Sequence, residues 1–378
     1  MKTGTLQIWD ARSPSDRARW LAAHGAWPGR EVFAHPAYVS LFAQPADRAL
    51  CAFMATPRGR VLYPLIQRPI PEAGEGATDL TTPYGYGGPF AVGDARDHVA
   101  RFWRQFDEWA AAERVVSEFV RLALFPDAML PHPGEPEEKQ LNVVRSLEPA
   151  EDRLWMDAAH KVRKNVTRAR HSGVTIEMDP RGEGIADFLR IYRATMDRRG
   201  ARSGMYFSDA FFDAIQATLA GHYVYFHARL AGRIVSSELV LVSASQVYSF
   251  LGGTDREAFE ARPNDLLKYE VMLWAKRAGK QRFVLGGGHV PDDGIFRYKR
   301  AFAPGGLVPF TVVRRILAPG LYARLVDARI LAGLHLDPDW MPERGFFPTY
   351  RSDLPRPEVA RAGSPEGEGH REPEETRP

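Results

Sequence analysis

The segment YSFLGGTDREAFEARPNDLLKYEVMLWAKRAG, residues 248–279, predicts the end of a strand, a turn and a long helix in succession. The helix covers residues 264–278, because Pro263 favours a helix start and Gly279 favours a helix end. Apolar residues recur within it at helical spacing: Leu267, Val271, Trp274 and Ala278. The apolar run RFVLGG follows at once and predicts a further strand.

Three strand patterns precede that helix. They are HYVYFHARL, which starts at residue 222, IVSSELVLV, which starts at residue 234, and QVYSFLGG, which starts at residue 246. Each alternates or is continuously apolar over the length of a strand. The short turn at residues 231–233 predicts that these strands form an antiparallel meander.

Helical patterns lie upstream of the meander, over residues 156–171, 183–197 and 208–220. Ser208 is placed to cap the third of them. The strand pattern VTIEM separates the first helix from the second. The second half of the chain therefore has the order helix pair, meander, long helix, strand.

The first half shows a cruder version of that plan. CAFMA and RVLYPLIQR predict a strand hairpin, a helical pattern covers residues 95–113, and SEFVRLAL predicts a strand after it. A short helix is expected after Pro36, and residues 126–138, rich in proline and acid, are expected to form a loop. The fold class is α+β, with mixed, mostly antiparallel sheets flanked by helices.

Length and composition set the domain plan. The chain has 378 residues, about twice a common domain length, and we expect domains at residues 1–150 and 151–353. Residues 354–378 are rich in Pro, Gly, Glu and Arg, so we expect a disordered tail. A hydrophobic fraction of 44% and a charged fraction of 26% exclude fibrous, collagenous and wholly disordered classes.

Charge, cysteine usage and hydropathy limit the function classes. A net charge of +3 is too small for a nucleic-acid coat protein, and only eight of the 50 basic residues are lysines. The one cysteine, Cys51, excludes an internal disulfide. We see no export signal and no apolar run long enough for a membrane span, so a cytoplasmic monomer without stable membrane insertion is expected.

Four stretches of this sequence resemble the FemAB-like group of the GNAT superfamily and the related CelD-like acetyltransferase domain. They are TTPYGYGGPF at 81–90, HKVRKNVTRARHSGV at 160–174, the segment at 248–279, and FRYKRAF at 296–302. The resemblance implies tandem GNAT-like (acyl-CoA N-acyltransferase-like) domains. It also implies transfer of an aminoacyl group from aminoacyl-tRNA to an amine, typically on a peptidoglycan precursor.

Such a transfer needs a proton acceptor for the amine and a positive group for the oxyanion. Lys299 and the aromatic Tyr298 before it are candidate catalytic residues, and the resemblance implies that Lys299 contacts the acyl donor and the tetrahedral intermediate. The alternative is a solvated basic strand end. Glu238, on a predicted central strand, is a candidate base, but it could equally face solvent.

Two basic stretches are candidates for anion binding. The helix at 156–171 has a basic face with Lys161, Arg163 and Lys164, which suits tRNA or a diphosphate-bearing acceptor unless it is only a solvated face. Arg198, Arg199 and Tyr206 resemble the family's arginine-rich turn that contacts acceptor phosphates, although this chain has Arg-Gly where the family has Arg-Asp-Gly. Arginines at a helix end also simply favour the helix dipole.

Three further residues are candidates for the cleft wall. Tyr84 and Tyr86, among the glycines of TTPYGYGGP, offer flat surfaces with polar tips, or they belong to a rigid structural turn. Asp265 could position an amine, but a capping role is the better interpretation. No metal-binding motif is present, so neither a metal nor a cofactor is expected.

The donor is the main open question. Residues 257–264 contain no glycine, and Pro263 lacks an amide hydrogen, so this loop is a poor cradle for the pyrophosphate of coenzyme A. Aminoacyl-tRNA is therefore the preferred donor. An acyl-CoA-dependent N-acetyltransferase is the first alternative, and a non-catalytic binding module is the second.

Overall fold

The computed structural model describes residues 3–74, 76–201, 204, 206–290 and 292–355. The chain divides into two units, Met1–Pro319 and Gly320–Pro378. The described part of the larger unit is built on a 13-stranded sheet.

The first half supplies seven strands and three helices among the described residues. They are β1 (Leu6–Asp10), α1 (Pro14–Gly25), α2 (Pro36–Leu41), β2 (Arg48–Ala55), β3 (Arg60–Pro69), β4 (Thr78–Thr81), β5 (Phe90–Val92), α3 (Val99–Ala112), β6 (Val115–Arg121) and β7 (Glu135–Ser146). The helix after Pro36, the hairpin β2–β3 and the helix α3 confirm the sequence predictions.

The second half supplies the remaining elements of this unit. They are α4 (Glu151–Asp157), α5 (His160–His171), β8 (Thr175–Asp179), α6 (Ile185–Arg199), α7 (Asp209–Thr218), β9 (Tyr223–Leu230), β10 (Arg233–Val242), β11 (Gln246–Thr254), α8 (Pro263–Arg277), β12 (Arg282–Gly286), α9 (Gly294–Arg300) and β13 (Leu307–Ile316). The meander β9–β10–β11, the long helix α8 and the strand β12 are confirmed. Ser208 caps α7 by accepting the amide hydrogen of Phe211.

Two local predictions were wrong. The helix expected over 156–171 is split into α4 and α5, because the backbone is extended at Ala158 and Ala159. Arg163 holds this break by donating to the carbonyl of Met156 at 2.8 Å. The loop expected over 126–138 ends early, since β7 starts at Glu135 and pairs with the distant strand β13.

One sheet runs through both halves of the chain. Its order is β1-β2-β3-β4-β6-β13-β7-β12-β11-β10-β9-β8, with β5 paired to β3 outside this path. The last strand, β13, lies between β6 and β7, and β7 then pairs with β12. The pairs β4–β6 and β11–β12 are parallel, and the other named pairs are antiparallel. The sheet is thus mixed and mostly antiparallel, as predicted.

Helices cover both faces of the second-half strands. On one face, α5 and α8 pack Val162, Val166 and Leu267 against the sheet. On the other face, α6 and α7 pack Phe188 and Phe212. Adjacent residues of β10 follow this division, because successive side chains of a strand point to opposite faces. Cys51 is fully buried in the first half.

The smaller unit contains all of α10 (Pro319–Leu336) except its first residue. The ring of Tyr322 stacks on Phe347 with 5.7 Å between the ring centres, and Arg329 donates to the carbonyl of Tyr350 at 2.7 Å. Nearly all of the predicted tail, from residue 356 onward, lies outside the described residues. The boundaries at 150 and 353 stay predictions. No helix of the described chain is both long enough and apolar enough to cross a membrane.

Candidate active site

The candidate active site lies where two parallel strands separate. β11 and β12 pair at three positions only, from Gln246 opposite Arg282 to Tyr248 opposite Val284. Beyond these pairs the strands part, and the residues of β11 from Ser249 to Thr254 line a cavity of about 860 Å³. Side chains from α5, α6, β10, α8 and α9 complete its wall.

A buried ion pair stands in this cavity. Lys268 of α8 donates to Oε1 of Glu238 on β10, and also to the hydroxyl of Ser249 at 2.6 Å. Glu238 is 2% exposed and Lys268 is 7% exposed. The other oxygen of Glu238, Oε2, is buried and has no hydrogen-bond partner among the described residues. It is therefore a buried acceptor without a donor, on a residue that lines the cavity.

Lys299 approaches the cavity from the short helix α9. Its Nζ donates to the carbonyl of Gly287 at 2.7 Å. Burial lowers the pKa of Lys299 to about 8, and the positive charge of Lys268 contributes to the shift, while Glu238 opposes it. The ammonium is thus the major form at pH 7, and it is ready to lose its proton slightly above neutrality.

Three side chains come close together at Gly286, those of Lys299, Asn142 and Tyr86. A Cβ atom on Gly286 would lie 3.4 Å from Nζ of Lys299, and 3.7 Å from both Oδ1 of Asn142 and the hydroxyl of Tyr86. Tyr86 donates its hydroxyl hydrogen to Asn142 at 3.0 Å. Since Gly286 has a φ of +81°, a side chain at this position would be strained as well as crowded.

A second cluster of polar side chains lies around the start of α8 and α9. The hydroxyl of Tyr298 accepts a hydrogen bond from the Asn264 side chain at 2.9 Å. Asp265 accepts one from Asn165 of α5 at 3.1 Å, and burial raises the pKa of Asp265. Burial, together with the charges of Asp265 and Glu238, raises the pKa of Tyr298 well above its ordinary value. Tyr298 is therefore a neutral donor or acceptor at physiological pH.

Arginines occupy one corner of the cavity. Arg198, Arg199 and Arg262 all line it. Arg198 donates to Oγ1 of Thr195 at 3.1 Å, and its guanidinium lies 5.1 Å from the ring centre of Phe259. Burial and the neighbouring charge of Arg199 lower the pKa of Arg198. This corner attracts anions such as phosphate groups.

The basic face of α5 is only partly turned to the cavity. Lys161 lines the cavity, and Lys164 is exposed on the helix. Arg163 is occupied with the backbone at the end of α4. Two further arginines of α5 find acidic partners that are distant in sequence: Arg168 pairs with Glu260 at 2.7 Å, and Arg170 with Glu270 at 2.8 Å.

The three predicted tyrosines outside α9 do not line the cavity. Tyr206 lines a separate groove and donates to Asp197 at 3.0 Å. Tyr84 lies with its ring centre 6.1 Å from that of Phe250, which does line the cavity. Tyr86 reaches the neighbourhood of Lys299 through Asn142.

The structure thus brings most of the predicted site residues into one cavity. Those that line it are Lys299, Tyr298, Glu238, Asp265, Arg198, Arg199 and Lys161, and those that do not are Arg163, Lys164, Tyr84, Tyr86 and Tyr206. Lys268 and Asn142 are not among the residues predicted from the sequence. Lys268 could have been found, because it is one of only eight lysines and stands among the apolar residues Leu266, Leu267 and Val271 of α8.

The cavity contains no arrangement typical of a metal site. In the described part of the chain, the one group of three potential metal ligands lies elsewhere, at His24, His35 and His222. The polar groups of the cavity suit a reaction by proton transfer and charge stabilisation. A carboxylate oxygen is available to an amine, an ammonium lies nearby, and arginines can hold an anionic substrate.

Comparisons with known proteins agree with this geometry. A family model described as the acetyltransferase (GNAT) domain matches residues 157–300, the stretch that supplies nearly all of the cavity wall. No curated protein sequence matches the chain.

Solved structures share the fold. FemX is 14% identical, with a TM-score of 0.62, and the match covers 82% of this chain and 98% of FemX. The C-terminal domain of a putative lysylphosphatidylglycerol synthetase from Agrobacterium fabrum is 16% identical, with a TM-score of 0.52, and the match covers 83% of this chain and 97% of that domain. L-PGS from Bacillus licheniformis is 12% identical, with a TM-score of 0.51, and the match covers 86% and 98% of the two chains.

The family match and the cavity geometry lead to one conclusion. The matched residues include the splayed strands β11 and β12, the buried pair Glu238 and Lys268, and Lys299. Residues 157–300 match a GNAT-type acetyltransferase domain, so the chain is an acyltransferase, and its fold is similar to that of FemX.

Proposed function

We propose that this acyltransferase moves an aminoacyl group from aminoacyl-tRNA to the amine of an acceptor such as a peptidoglycan precursor or a peptide-like metabolite. The observation that carries the proposal is the hydrogen bonding of the loop before α8. The amides of Arg262 and Asp265 donate to carbonyls within the loop, those of Phe259 and Arg262. Pro263 has no amide hydrogen. Few backbone donors remain for the pyrophosphate of coenzyme A.

Side chains supply the positive charge that the loop backbone lacks. Arg198 and Arg199 of α6, Arg262 of the loop before α8 and Lys161 of α5 all line the cavity. Phosphates of an RNA backbone, or the diphosphate of an acceptor, are held by such side chains without backbone amides. The arginine corner therefore supports a donor or acceptor that carries phosphate groups.

The proposed reaction uses three cavity residues. The acceptor amine attacks the carbonyl carbon of the aminoacyl ester, forming the C–N bond and placing a negative charge on the carbonyl oxygen. The ammonium of Lys299 stabilises this charge, and Oε2 of Glu238 takes a proton from the attacking nitrogen. Lys268 keeps the carboxylate of Glu238 in place. The ester C–O bond then breaks, and the ribose oxygen leaves as a hydroxyl with the proton that Glu238 took from the amine, which returns Glu238 to its carboxylate form.

Tyr298 and Asp265 hold positioning roles in this proposal. Tyr298 stays neutral and ties α9 to the start of α8 through Asn264, which keeps Lys299 in register with the cavity. Asp265 faces Asn165 and lies near Lys161, so it orders the α5 side of the cavity. Tyr86 supports the space beside Lys299 through Asn142.

Transfer of label tests the donor. Purified protein is incubated with total tRNA charged with radioactive amino acids, and in parallel with radioactive acetyl-CoA, each with a lysine-containing uridine-diphosphate muramyl pentapeptide as acceptor. We expect label to move from tRNA to the acceptor, and ribonuclease to abolish the transfer. The Lys299→Met protein is the matched control for spontaneous ester hydrolysis. Transfer from acetyl-CoA alone would contradict the proposal.

An acyl-CoA-dependent N-acetyltransferase is the second candidate. It is favoured by the description of the family model that matches residues 157–300, which is an acetyltransferase domain. Saturable binding of acetyl-CoA to the cavity, lost in Arg262→Gln but not in Arg193→Gln, would support this candidate over the first.

A further inference from the structure

Three histidines that are far apart in sequence meet outside the cavity of the candidate active site. His24 belongs to the last turn of α1, His35 precedes α2, and His222 precedes β9. Their ring centres lie 5.1 Å (His24 to His35), 5.6 Å (His24 to His222) and 5.1 Å (His35 to His222) apart. One ring nitrogen from each lies within 4.8 Å of the others. The spacing of these three histidines in the sequence does not predict that they meet.

The triangle of ring centres matches tetrahedral metal coordination. With zinc–nitrogen bonds of about 2.0–2.1 Å and tetrahedral angles, three imidazole centres would lie roughly 5 Å apart. The ring centres of the three histidines are already at this separation. The ring nitrogens, which lie within 4.8 Å of one another, must approach to about 3.3 Å to share one tetrahedral ion.

Backbone contacts prepare two of the rings as ligands. Nε2 of His24 lies 2.9 Å from the carbonyl oxygen of Glu31, and Nδ1 of His222 lies 3.2 Å from that of Val242. A carbonyl only accepts, so these nitrogens carry the protons, and Nδ1 of His24 and Nε2 of His222 carry lone pairs. A histidine that donates its other ring N–H to a carbonyl is the common arrangement at metal sites.

His35 needs a change of tautomer before it can bind a metal through Nε2. Its Nδ1 accepts the amide hydrogen of Ala37 at 3.2 Å, which places the ring proton on Nε2. Binding a metal through Nε2 moves that proton to Nδ1 and breaks this long hydrogen bond. The loss is worth about 1 kcal/mol for an ordinary hydrogen bond, far less than a metal–nitrogen bond returns.

The surroundings keep the rings neutral. Burial lowers the pKa of His24 to about 4 and that of His35 to about 3, and it also lowers the pKa of His222. Arg30 and Lys280 are close enough to act on His222, and their charge opposes a dication. We expect tight binding, but weaker than at a cysteine-rich site.

We propose that His24, His35 and His222 form a binding site for one divalent transition-metal cation, with zinc as the occupant and water as the fourth ligand. Three imidazoles select zinc, nickel or copper over magnesium and calcium, which prefer oxygen ligands. Two ligands come from the first half of the chain and one from the second half. The metal would therefore link the two halves of the chain at a point distant in sequence from Lys299. This metal site is separate from the proposed acyl transfer.

Metal titration of the tag-free protein tests this proposal. The protein is stripped with a chelator, and zinc is added in competition with a chromophoric chelator. We expect one equivalent to bind, and affinity to fall at least about 100-fold in His24→Gln and in His222→Gln. His222→Cys, which keeps a ligand atom, retains binding, and His171→Gln, an exposed histidine of α5, binds as the wild type does. At a hundredfold excess over Kd, zinc raises the melting temperature by about 3 °C.

Two results would overturn the proposal. One is the absence of a bound equivalent in the folded wild-type protein, with folding checked by circular dichroism. The other is unchanged zinc affinity in His222→Gln. Where a histidine variant does not fold, the wild-type protein with Co²⁺ decides: intense visible bands of tetrahedral cobalt support the site, and the weak band of octahedral cobalt contradicts it.

Discussion

Lys268 of α8 donates a hydrogen bond from its Nζ to Oε1 of Glu238 on β10, inside the cavity. This pair joins α8 to β10, the middle strand of the meander, at the place where β11 and β12 separate. Neither charge can be removed without leaving the other buried and uncompensated, because the two residues are 7% and 2% exposed.

A thermodynamic cycle measures that coupling. Glu238→Gln and Lys268→Met should each lower the free energy of unfolding by about 3 kcal/mol, since each leaves one buried charge without its partner. The double variant removes both charges, so its loss should be clearly smaller than the sum. Urea unfolding at pH 7 gives the three values. Additive losses would show that the two side chains do not interact.

The salt dependence of tRNA binding separates the solvated charges of α5 from the paired ones. Lys161→Glu with Lys164→Glu should weaken binding and reduce the slope of log affinity against log salt by roughly one for each lost contact. Arg168→Gln with Arg170→Gln is the matched control, because these arginines already pair with Glu260 and Glu270. Equal slopes for both double variants would place the RNA elsewhere. Arg163 is excluded, since it supports the break between α4 and α5.

The pH profile of turnover should report the charge on Lys299. Its pKa, lowered by burial to about 8, means that the ammonium is lost as the pH rises through 8. If the ammonium stabilises the oxyanion, kcat falls above about pH 8 in the wild type. In Lys299→Arg the charge persists, so the residual activity should not fall in this range. If kcat falls near pH 8 in both proteins, a group other than Lys299 causes the fall.

Sequence patterns predicted the elements whose signal is local. The meander, α8 and the Ser208 cap follow from periodicity and end residues within a few positions. Local patterns did not predict the break at Ala158 and Ala159 or the early start of β7, because each depends on a partner distant in sequence. The amide of Ala159 donates to the carbonyl of Ala301, and β7 pairs with β13.

The candidate site divides in the same way. Lys299 was predicted from the family resemblance and Glu238 from its place on a predicted strand. The structure places both in one cavity. Lys268 was overlooked, since a lysine inside a helical pattern is normally assigned to solvent. The carboxylate that compensates its burial comes from β10, 30 residues earlier.

Arg199 is expected to bind the acceptor rather than to take part in the chemistry. Arg199→Gln removes a guanidinium from the cavity corner, so the KM for a diphosphate-bearing acceptor should rise about tenfold or more while kcat changes little. Arg193→Gln is the control, because Arg193 lies on the same helix, pairs with Asp209 and does not line the cavity. Steady-state kinetics with varied acceptor distinguish the two. A fall in kcat without a change in KM would contradict the assignment.

The turnover of Lys299→Met tests the central claim, that this cavity performs acyl transfer with Lys299 at the oxyanion. Methionine keeps the packing of the side chain and deletes the charge, so kcat should fall roughly 100-fold or more, about 2.7 kcal/mol or more of transition-state stabilisation. Substrate affinity should change far less. Arg297→Met, in the same cavity wall, controls for a general loss of positive charge and should retain most of its activity. Unchanged turnover in Lys299→Met, or an equal loss in both variants, would contradict the account.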